Sequence, residues 1–375
     1  MSGEAARLKP LRPFLLERYF AKHEFSAPYL LSSSDCDGLE QREILATADP
    51  EARSLWDDLR LGYTESRGLP LLRSEIAAQY RGVDPDQVFV AAPQELIFLA
   101  MTALLAPGDH MVCTFPGYQS LYEVAASMGC AIDRWEPDES LGWRFDVDRL
   151  ASLLRPSTKL VAVNFPHNPT GALPSKDEFA SIVDLVRSRG IRLFSDEMYR
   201  LLEHDPSHRL PSACELDDGA VALSGMSKSF GLAGLRIGWL IVKDVALYDR
   251  LAELKDYTTI CSAGPAEVLA LMGLRARETI LARHRERILR NLKPLDVFFD
   301  KHPGAFTWIR PKAGMVGFPG YNRKEPVAEF CERAVREAGV MVLPSTMYEY
   351  AAPHFRVGFG RENMPAALER LERLL

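Results

Sequence analysis

The chain lacks the features that would assign it to several large classes of proteins. No apolar run approaches the roughly 18 residues that a membrane-spanning helix needs. The sequence holds only 6 cysteines in 375 residues, and none of them forms a C-x-x-C pair. We therefore expect no membrane association and no metal site, and we expect the thiols to be reduced, buried side chains of a cytoplasmic protein.

Positive charge is scarce as well. Lys and Arg number 45 against 51 Asp and Glu, which gives a formal net charge of -6. Because a nucleic-acid-binding face must neutralise phosphates with basic side chains, we expect no nucleic-acid partner. Residues 1–13 include basic side chains but no apolar stretch of the kind found in a secretory signal. A length of 375 residues exceeds what one small core organises and favours a two-domain α/β protein.

Short apolar runs alternate with segments of helical periodicity through the middle of the chain. The runs are residues 88–91, 111–114, 159–165, 191–194, 221–223 and 237–242. Such alternation predicts a three-layer α/β domain in which helices cover both faces of a mostly parallel sheet. After residue 265, long charged helices and short apolar runs predict a smaller α+β domain. Ligands of parallel sheets bind beyond the carboxyl ends of the strands, and polar motifs follow several of these runs.

The most informative motif is the glycine-rich segment 224–239, which joins two of the predicted strands. It carries Lys228 and Arg236. A lysine amine in a pocket of low dielectric constant loses its proton more readily and becomes a nucleophile toward carbonyl groups. An arginine guanidinium binds phosphate in a two-pronged geometry. Taken alone, the two charges are also explained as solvated side chains of a surface loop.

This motif resembles the lysine signature of the class I/II aminotransferases, which are aspartate-aminotransferase-like enzymes of fold type I. The likeness rests on Ser227 and Lys228, followed by Arg236 among glycines, and it extends over residues 61–360. Members of this family depend on pyridoxal 5'-phosphate (PLP), so the resemblance implies that Lys228 forms a Schiff base with that cofactor. It also implies the PLP-dependent transferase fold.

Two polar turns follow predicted strands. The segment 164–171 contains Asn168 before a proline, and Asp196 follows the run 191–194. By themselves these residues are also explained as an ordinary Asn-Pro turn and as a helix cap. The resemblance implies that Asn168 and Tyr199 bond the phenolate oxygen of PLP. It further implies that Asp196 keeps the pyridine nitrogen protonated, so that the ring accepts electrons. Asp196, Tyr199 and Lys228 are therefore the predicted catalytic residues.

A phosphate site is expected where the run 88–91 passes into a helix, because a helix N-terminus binds anions. The sequence departs from the family here, since Pro93 has no N–H and Gly225 replaces a frequent Ser or Thr. The resemblance then assigns the phosphate donors to the remaining residues of the site, which are Gln94, Glu95, Ser227 and Arg236.

The resemblance also implies a domain division and a dimer. The large PLP-binding domain would span 46–280 and the small C-terminal domain 281–375, with the segment 1–45 packed on the small domain across the active site. Tyr118 would stack on the cofactor ring. Tyr63 would reach the phosphate of a neighbouring subunit, which makes a homodimer the expected assembly.

The substrate contacts are predicted from two regions. Arg356 lies in an apolar strand and matches the arginine that binds the substrate α-carboxylate, with Asn168 beside it; a core salt bridge is the competing explanation. The acids Glu17, Asp35 and Asp37 fall in the N-terminal segment, where a helix cap or a solvated position explains them. Alternatively, Glu17 and Asp35 bind a cationic side chain such as a guanidinium.

The implied activity is transfer of an amino group between an L-α-amino acid and a 2-oxo acid. An alternative is a PLP-dependent cyclase, eliminase or oxidase acting on a cationic, arginine-like amino acid in specialised metabolism, because the same carbanion supports these outcomes. A third alternative is a non-catalytic ligand-sensing module, which would carry a DNA-binding segment that is not visible in this sequence. The motifs do not identify the amino acid, because the side-chain pocket is built from variable loops.

Overall fold

The computed structural model describes residues 10–375, so residues 1–9 of the predicted N-terminal segment lie outside the described residues. A seven-stranded sheet forms the centre of the molecule, in the order β1-β7-β6-β5-β4-β2-β3. Its strands are β1 Val88–Ala91, β2 His110–Thr114, β3 Ala131–Trp135, β4 Thr158–Asn164, β5 Arg192–Asp196, β6 Val221–Gly225 and β7 Gly238–Ile241. Strand β7 is antiparallel to both of its neighbours, and the remaining pairs are parallel. The expected mostly parallel sheet is confirmed.

The helices before the C-terminal part are α1 Leu15–His23, α2 Gln41–Ala46, α3 Pro50–Asp57, α4 Pro70–Ala77, α5 Pro93–Leu104, α6 Ser120–Ser127, α7 Val147–Leu153, α8 Lys176–Ser188, α9 Ala213–Leu216, α10 Val245–Lys255 and α11 Gly264–Arg275. Helices α4 to α9 pack on strands of the sheet, whereas α2 and α3 pack on α11. Helix α8 buries Phe179, Ile182, Val183 and Val186, and Ser175 and Glu178 form a capping box at its start. Strands β1, β2 and β7 are buried along their whole length because helices pack on both faces.

The C-terminal part is built from short strands and longer helices. The helices are α12 Arg277–Lys301, α13 Val327–Arg333 and α14 Met364–Glu372, and the strands are β8 Phe306–Thr307, β9 Val316–Gly317, β10 Gly320–Tyr321, β11 Leu343–Pro344 and β12 Phe355–Gly358. The apolar run 340–343 is buried, yet only Leu343 lies in a strand. Val340 instead forms a parallel bridge with Tyr29, because the N-terminal segment pairs with the chain at this point.

The N-terminal segment continues into residues 31–37, which we term the strap. Its backbone lies directly against β12: the Gly358 N–H donates to the Leu31 carbonyl at 2.7 Å. A Cβ at Gly358 would lie 1.9 Å from the Ser33 carbonyl oxygen, so no residue with a side chain fits there without displacing the strap. This contact holds the strap beside Arg356, which lies two residues before Gly358 on β12.

The remaining expectations from composition concern cysteines and membranes. All six cysteines are free thiols, and five of them are buried, with Cys261 partly exposed. Residues 10–375 contain no cluster of side chains that is suited to a metal ion. In the same part of the chain, no helix combines the length and the apolar character that crossing a bilayer requires.

Candidate active site

A cavity of about 370 Å³ opens at the carboxyl ends of β4, β5 and β6. Twelve of the residues predicted from the sequence line it: Glu17, Asp35, Pro93, Gln94, Tyr118, Asn168, Asp196, Tyr199, Ser227, Lys228, Arg236 and Arg356. Tyr63 and Glu95 do not line this cavity in the described chain. Segments that are far apart in sequence therefore meet where the topology predicts a ligand.

Lys228 lies in the loop after β6 and projects into the cavity. Its Nζ donates a hydrogen bond to the Ser34 hydroxyl at 3.0 Å. Burial lowers the pKa of Lys228, and the negative charge of Asp35 opposes that shift. A lowered pKa increases the fraction of neutral amine, which is the form that attacks a carbonyl carbon or accepts a proton.

Asp196 ends β5 and is buried beneath the cavity. No helix begins there within the described residues, so the helix-cap interpretation is wrong. Burial raises the pKa of Asp196 to about 7, although its Oδ1 accepts a hydrogen bond from the Met198 N–H at 3.1 Å. A carboxyl group in this state is poised to ionise when a cation binds next to it.

Asn168 connects two sides of the cavity. Its backbone N–H donates to Asn164 Oδ1 at 2.8 Å, and Asn164 Nδ2 donates to the Asp196 carbonyl at 3.0 Å. The Asn168 Oδ1 accepts a hydrogen bond from Arg356 Nη1 at 3.1 Å. With Oδ1 used in this way, the Asn168 Nδ2 is available as a donor to a group in the cavity. Tyr199 lies nearby, and burial raises its pKa to about 12, so its hydroxyl remains a proton donor at neutral pH.

Arg356 is a buried arginine with unused hydrogen-bonding capacity. Its Nε donates to the Ser32 carbonyl at 2.9 Å and its Nη1 to the Tyr348 hydroxyl at 2.7 Å. Nη2 has no partner among residues 10–375. No carboxylate in this part of the chain pairs with Arg356, so the core-salt-bridge alternative is wrong. A carboxylate ligand would supply the missing acceptor.

Tyr348 is a residue that sequence reasoning missed. Its hydroxyl donates to Asn168 Oδ1 at 3.2 Å and accepts from Arg356. It lies in the short turn Ser345–Tyr348 and is fully buried. No motif marks this tyrosine, because its role depends on how the turn packs against β12.

The expected anion site lies at the start of α5. Pro93 is the first residue of that helix, and Gln94 follows it into the cavity wall. The Ser227 Oγ is buried without a hydrogen-bond partner in the described chain, and Arg236 stands exposed at the cavity mouth with a left-handed φ of 55°. A strained backbone next to unpaired donors is typical of a ligand site. The Glu95 side chain points away and accepts hydrogen bonds from Thr258 and Thr259.

Pro93 and Gly225, the two residues that depart from the family pattern, lie next to each other in the structure. A Cβ at Gly225 would lie 3.2 Å from Pro93 Cγ and 2.9 Å from the Gly238 Cα. A Cβ at Gly238 would lie 2.7 Å from the same proline carbon. The backbone at Gly238 and the Pro93 ring therefore both crowd the position of a Ser or Thr side chain at 225, and Pro93 fits beside a glycine there.

Acidic side chains from the N-terminal segment line the same cavity. Glu17 on α1 accepts a hydrogen bond from the Tyr118 hydroxyl at 3.0 Å, and Asp35 pairs with Arg361 at 3.0 Å. Glu24, which sequence reasoning missed, also lines the cavity, and burial followed by the charge of Asp35 raises its pKa. Two helical turns separate Glu17 from Glu24, and that spacing was the available signal. Asp37 is different, because it pairs with Arg287 outside the cavity.

Tyr118 and Tyr63 occupy contrasting environments. Tyr118 is enclosed, and its ring lies 4.9 Å from that of Phe14. Tyr63 is 90% exposed, and Leu61 and Tyr257 are 87% and 91% exposed. Large exposed apolar groups of this kind are typical of interaction surfaces. The predicted contact of Tyr63 with a second subunit stays a prediction.

Comparisons with a family profile and with known proteins agree with each other and cover most of the chain. The sequence profile described as "Aminotransferase class I and II" matches residues 28–371. The chain is 30% identical to capreomycidine synthase of Streptomyces vinaceus, over 95% of this chain and 90% of that protein. It is 28% identical to arginine–pyruvate transaminase of Pseudomonas aeruginosa, over 88% and 89%.

Solved structures agree with this comparison. A PLP-dependent aminotransferase from Streptococcus suis superposes with a TM-score of 0.90 at 30% identity, over 97% of this chain and 96% of that one. The PLP-dependent cyclase OrfR gives a TM-score of 0.87 at 26% identity, over 99% of each chain.

Proposed function

This chain belongs to the class I and II aminotransferase family, and from that membership we propose that Lys228, Asp196 and Arg356 form the centre of a PLP-dependent active site. The family activity is transfer of an amino group between an α-amino acid and a 2-oxo acid. One observation supports our assignment most strongly: buried Arg356 lines the cavity that holds Lys228 and Asp196, and its Nη2 has no partner among residues 10–375.

The residues of the cavity fit PLP. The partnerless Ser227 hydroxyl and the N-terminus of α5 suit its phosphate, together with Arg236 at the mouth. Asp196, whose pKa burial raises to about 7, suits a cationic ring nitrogen. Lys228 would hold the cofactor through its Nζ. When bound, PLP supplies an electron sink for a carbanion at the substrate α-carbon.

The protein side chains have separate tasks in our proposal. Arg356 binds the substrate α-carboxylate through its Nη2, and the bonds of its Nη1 to Asn168 and Tyr348 orient the guanidinium. The freed Lys228 amine takes the proton from the α-carbon and later returns it. Tyr118, with Phe14 packed against its ring, closes one side of the cavity and excludes water from the reacting carbon.

Exchange of the substrate α-hydrogen tests this proposal. The purified protein loaded with PLP should exchange the α-hydrogen of a substrate amino acid with solvent deuterium, as followed by NMR. Exchange needs only binding and the proton transfer by Lys228, so it is independent of the later fate of the substrate. Absence of exchange with every proteinogenic amino acid, arginine included, would contradict an enzymatic function and favour the ligand-sensing alternative.

We propose a cationic, arginine-like amino acid as the substrate. Three acids line the cavity together with the α-carboxylate anchor, namely Glu17, Glu24 and Asp35. Within residues 10–375, Glu24 has neither a hydrogen bond nor an ion pair through its side chain. Burial, and then the charges of Asp35 and Glu17, raise its pKa, while Arg361 and Lys228 oppose the shift. A substrate cation would relieve this repulsion. The similarity to an arginine transaminase and to capreomycidine synthase supports the same substrate class.

Charge-neutralising variants test the substrate class. In Glu17→Gln and Glu24→Gln, kcat/KM for arginine should fall about 10- to 100-fold, since each loses a charge-assisted hydrogen bond. Citrulline is the neutral isostere of arginine, and its kcat/KM should change little or rise. Asp37→Asn is the matched control, because Asp37 pairs with Arg287 outside the cavity. Equal losses for arginine and citrulline would contradict a cationic side-chain site.

A second candidate function is cyclisation of a cationic amino acid, with elimination or oxidation as related outcomes. The acids of the cavity and the likeness to the cyclase OrfR and to capreomycidine synthase favour it. Product analysis separates the candidates. Stoichiometric 2-oxo acid that depends on an amino acceptor supports transamination, whereas a ring product or ammonia without an acceptor supports the second candidate.

We also propose a homodimer located in the cytoplasm. Exposed Tyr63, Leu61 and Tyr257 support the dimer, with Tyr63 reaching the active site of the neighbouring subunit. Six free thiols support a reducing compartment. The division into a large domain at 46–280 and a small domain at 281–375 remains part of the same proposal.

A further inference from the structure

The strap brings one hydroxyl group to the amine of Lys228. Within residues 10–375, Nζ of Lys228 makes a single hydrogen bond, to Ser34 Oγ at 3.0 Å. The two residues are 194 positions apart in sequence. The fold therefore creates this contact, and no sequence motif around Lys228 predicts it.

The position of Ser34 is fixed by contacts on both sides of it. Arg356 Nε donates to the carbonyl of Ser32, and the carbonyl of Ser33 packs against Gly358. On the other side, Asp35 pairs with Arg361. These contacts tie the backbone around Ser34 to the strand that carries the proposed carboxylate anchor. The backbone that carries the Ser34 hydroxyl is consequently held beside Lys228.

A hydroxyl group can serve both protonation states of an amine. It accepts a hydrogen bond from the charged ammonium, and it donates one to the lone pair of the neutral amine. Lysine has a flexible four-carbon side chain, so its amine needs a fixed partner if it is to stay in one place. The charges around the amine are those of Glu17, Asp35, Arg236 and Arg356, and they change little when Ser34 is replaced.

We propose that Ser34 is a positioning residue that holds the released Lys228 amine in line with the substrate α-carbon during proton transfer. The proposal rests on the proposed role of Lys228 as the group that moves this proton. No bond to Ser34 forms or breaks. Its hydroxyl keeps Nζ near the reacting carbon while the proton passes from that carbon to Nζ and back.

Kinetics of Ser34→Ala and Ser34→Thr test the proposal in the loaded enzyme. Ser34→Ala should lower kcat about tenfold with little change in KM, because a hydrogen bond to a charged group is lost. The kinetic isotope effect for an α-deuterated substrate should rise, since proton transfer becomes slower. Ser34→Thr keeps the hydroxyl and should restore both values. Ser181→Ala is the control, because it removes an exposed hydroxyl of α8 that bonds the Asp177 carbonyl away from the cavity, and it should leave the isotope effect unchanged.

A second readout uses the protein without cofactor, so that it does not depend on activity. Cyanate carbamylates neutral amines, and peptide mass spectrometry measures its rate at Lys228. Ser34→Ala should accelerate carbamylation a few-fold at neutral pH, because the hydrogen bond that Ser34 accepts from the ammonium is stronger than the one it donates to the neutral amine, so its loss raises the neutral fraction. Equal rates in wild type and Ser34→Ala would overturn the proposal without any appeal to folding.

The outcomes separate this inference from the proposed function. If Lys228→Ala abolishes α-hydrogen exchange but Ser34→Ala matches wild type in kcat and isotope effect, the role of Ser34 is overturned and the proposed function stands. A raised KM with unchanged kcat would make Ser34 a substrate contact and would also overturn its positioning role. If Lys228→Ala retains exchange, the proposed function itself fails.

Discussion

Replacement of Lys228 by alanine is expected to lower the rate of α-hydrogen exchange by about 10⁴-fold or more. General-base catalysis by a positioned side chain contributes about 10²- to 10⁴-fold, and a covalent role toward the cofactor adds to this. Among its basic side chains, the cavity offers no substitute for Lys228 in the described residues. Its other basic side chains are Arg236 and Arg356, and a guanidinium does not lose its proton in proteins.

Lys228→Arg is the matched variant for this experiment. It keeps a positive charge at the same place but cannot act as a base, so it should be as inactive as Lys228→Ala. Single-turnover exchange monitored by NMR gives the rate, and calorimetric binding of a substrate analogue checks that Arg356 still holds the carboxylate. Substantial exchange by Lys228→Arg would show that charge, not proton transfer, is the contribution of Lys228, and our mechanism would be wrong.

Much of this site was predictable because the topology of a parallel sheet brings strand ends together. Three site residues lie at the ends of adjacent strands of the sheet: Asn168 follows β4, Asp196 ends β5 and Lys228 follows β6. An alternation of apolar runs was enough to place the motifs at one edge. The resemblance to a family then supplied a role for each side chain.

Other parts of the site were not predictable, because they depend on how distant segments pack. Ser34 lies in the N-terminal segment and Tyr348 in a turn before β12, where no local pattern marks them. Glu24 had one local signal, its helical spacing from Glu17. The same limit explains Pro93 and Gly225. From the sequence they are two unrelated departures, whereas the structure places the proline ring against that glycine. Contacts of this kind follow from three-dimensional packing and leave no periodic signal.

Replacement of Asp196 by asparagine is expected to have opposite effects on activity and on stability. Activity should fall about 10²- to 10³-fold, because a neutral amide no longer holds the proton on the ring nitrogen of the cofactor. The asparagine oxygen can still accept the hydrogen bond that Met198 donates to Asp196, so the fold around β5 should be retained. The protein without cofactor should become more stable above about pH 7, because it no longer buries a carboxylate.

The pH dependence identifies the cause of this stabilisation. Burial raises the pKa of Asp196 from 3.8 to about 7 in the folded chain. Between these values the folded protein keeps a proton that the unfolded chain has released, so the wild-type free energy of unfolding should decrease as pH rises through this window. Asp196→Asn lacks that contribution, and its gain in stability over wild type should reach a few kcal/mol above about pH 7 and vanish below about pH 4.

Denaturant unfolding of the cofactor-free proteins across this range measures the difference, with exposed Asp300→Asn as control. A constant offset between wild type and Asp196→Asn at every pH would mean that the pKa of Asp196 is the same in the folded and unfolded chains. Its readiness to pair with a cation would then need another explanation.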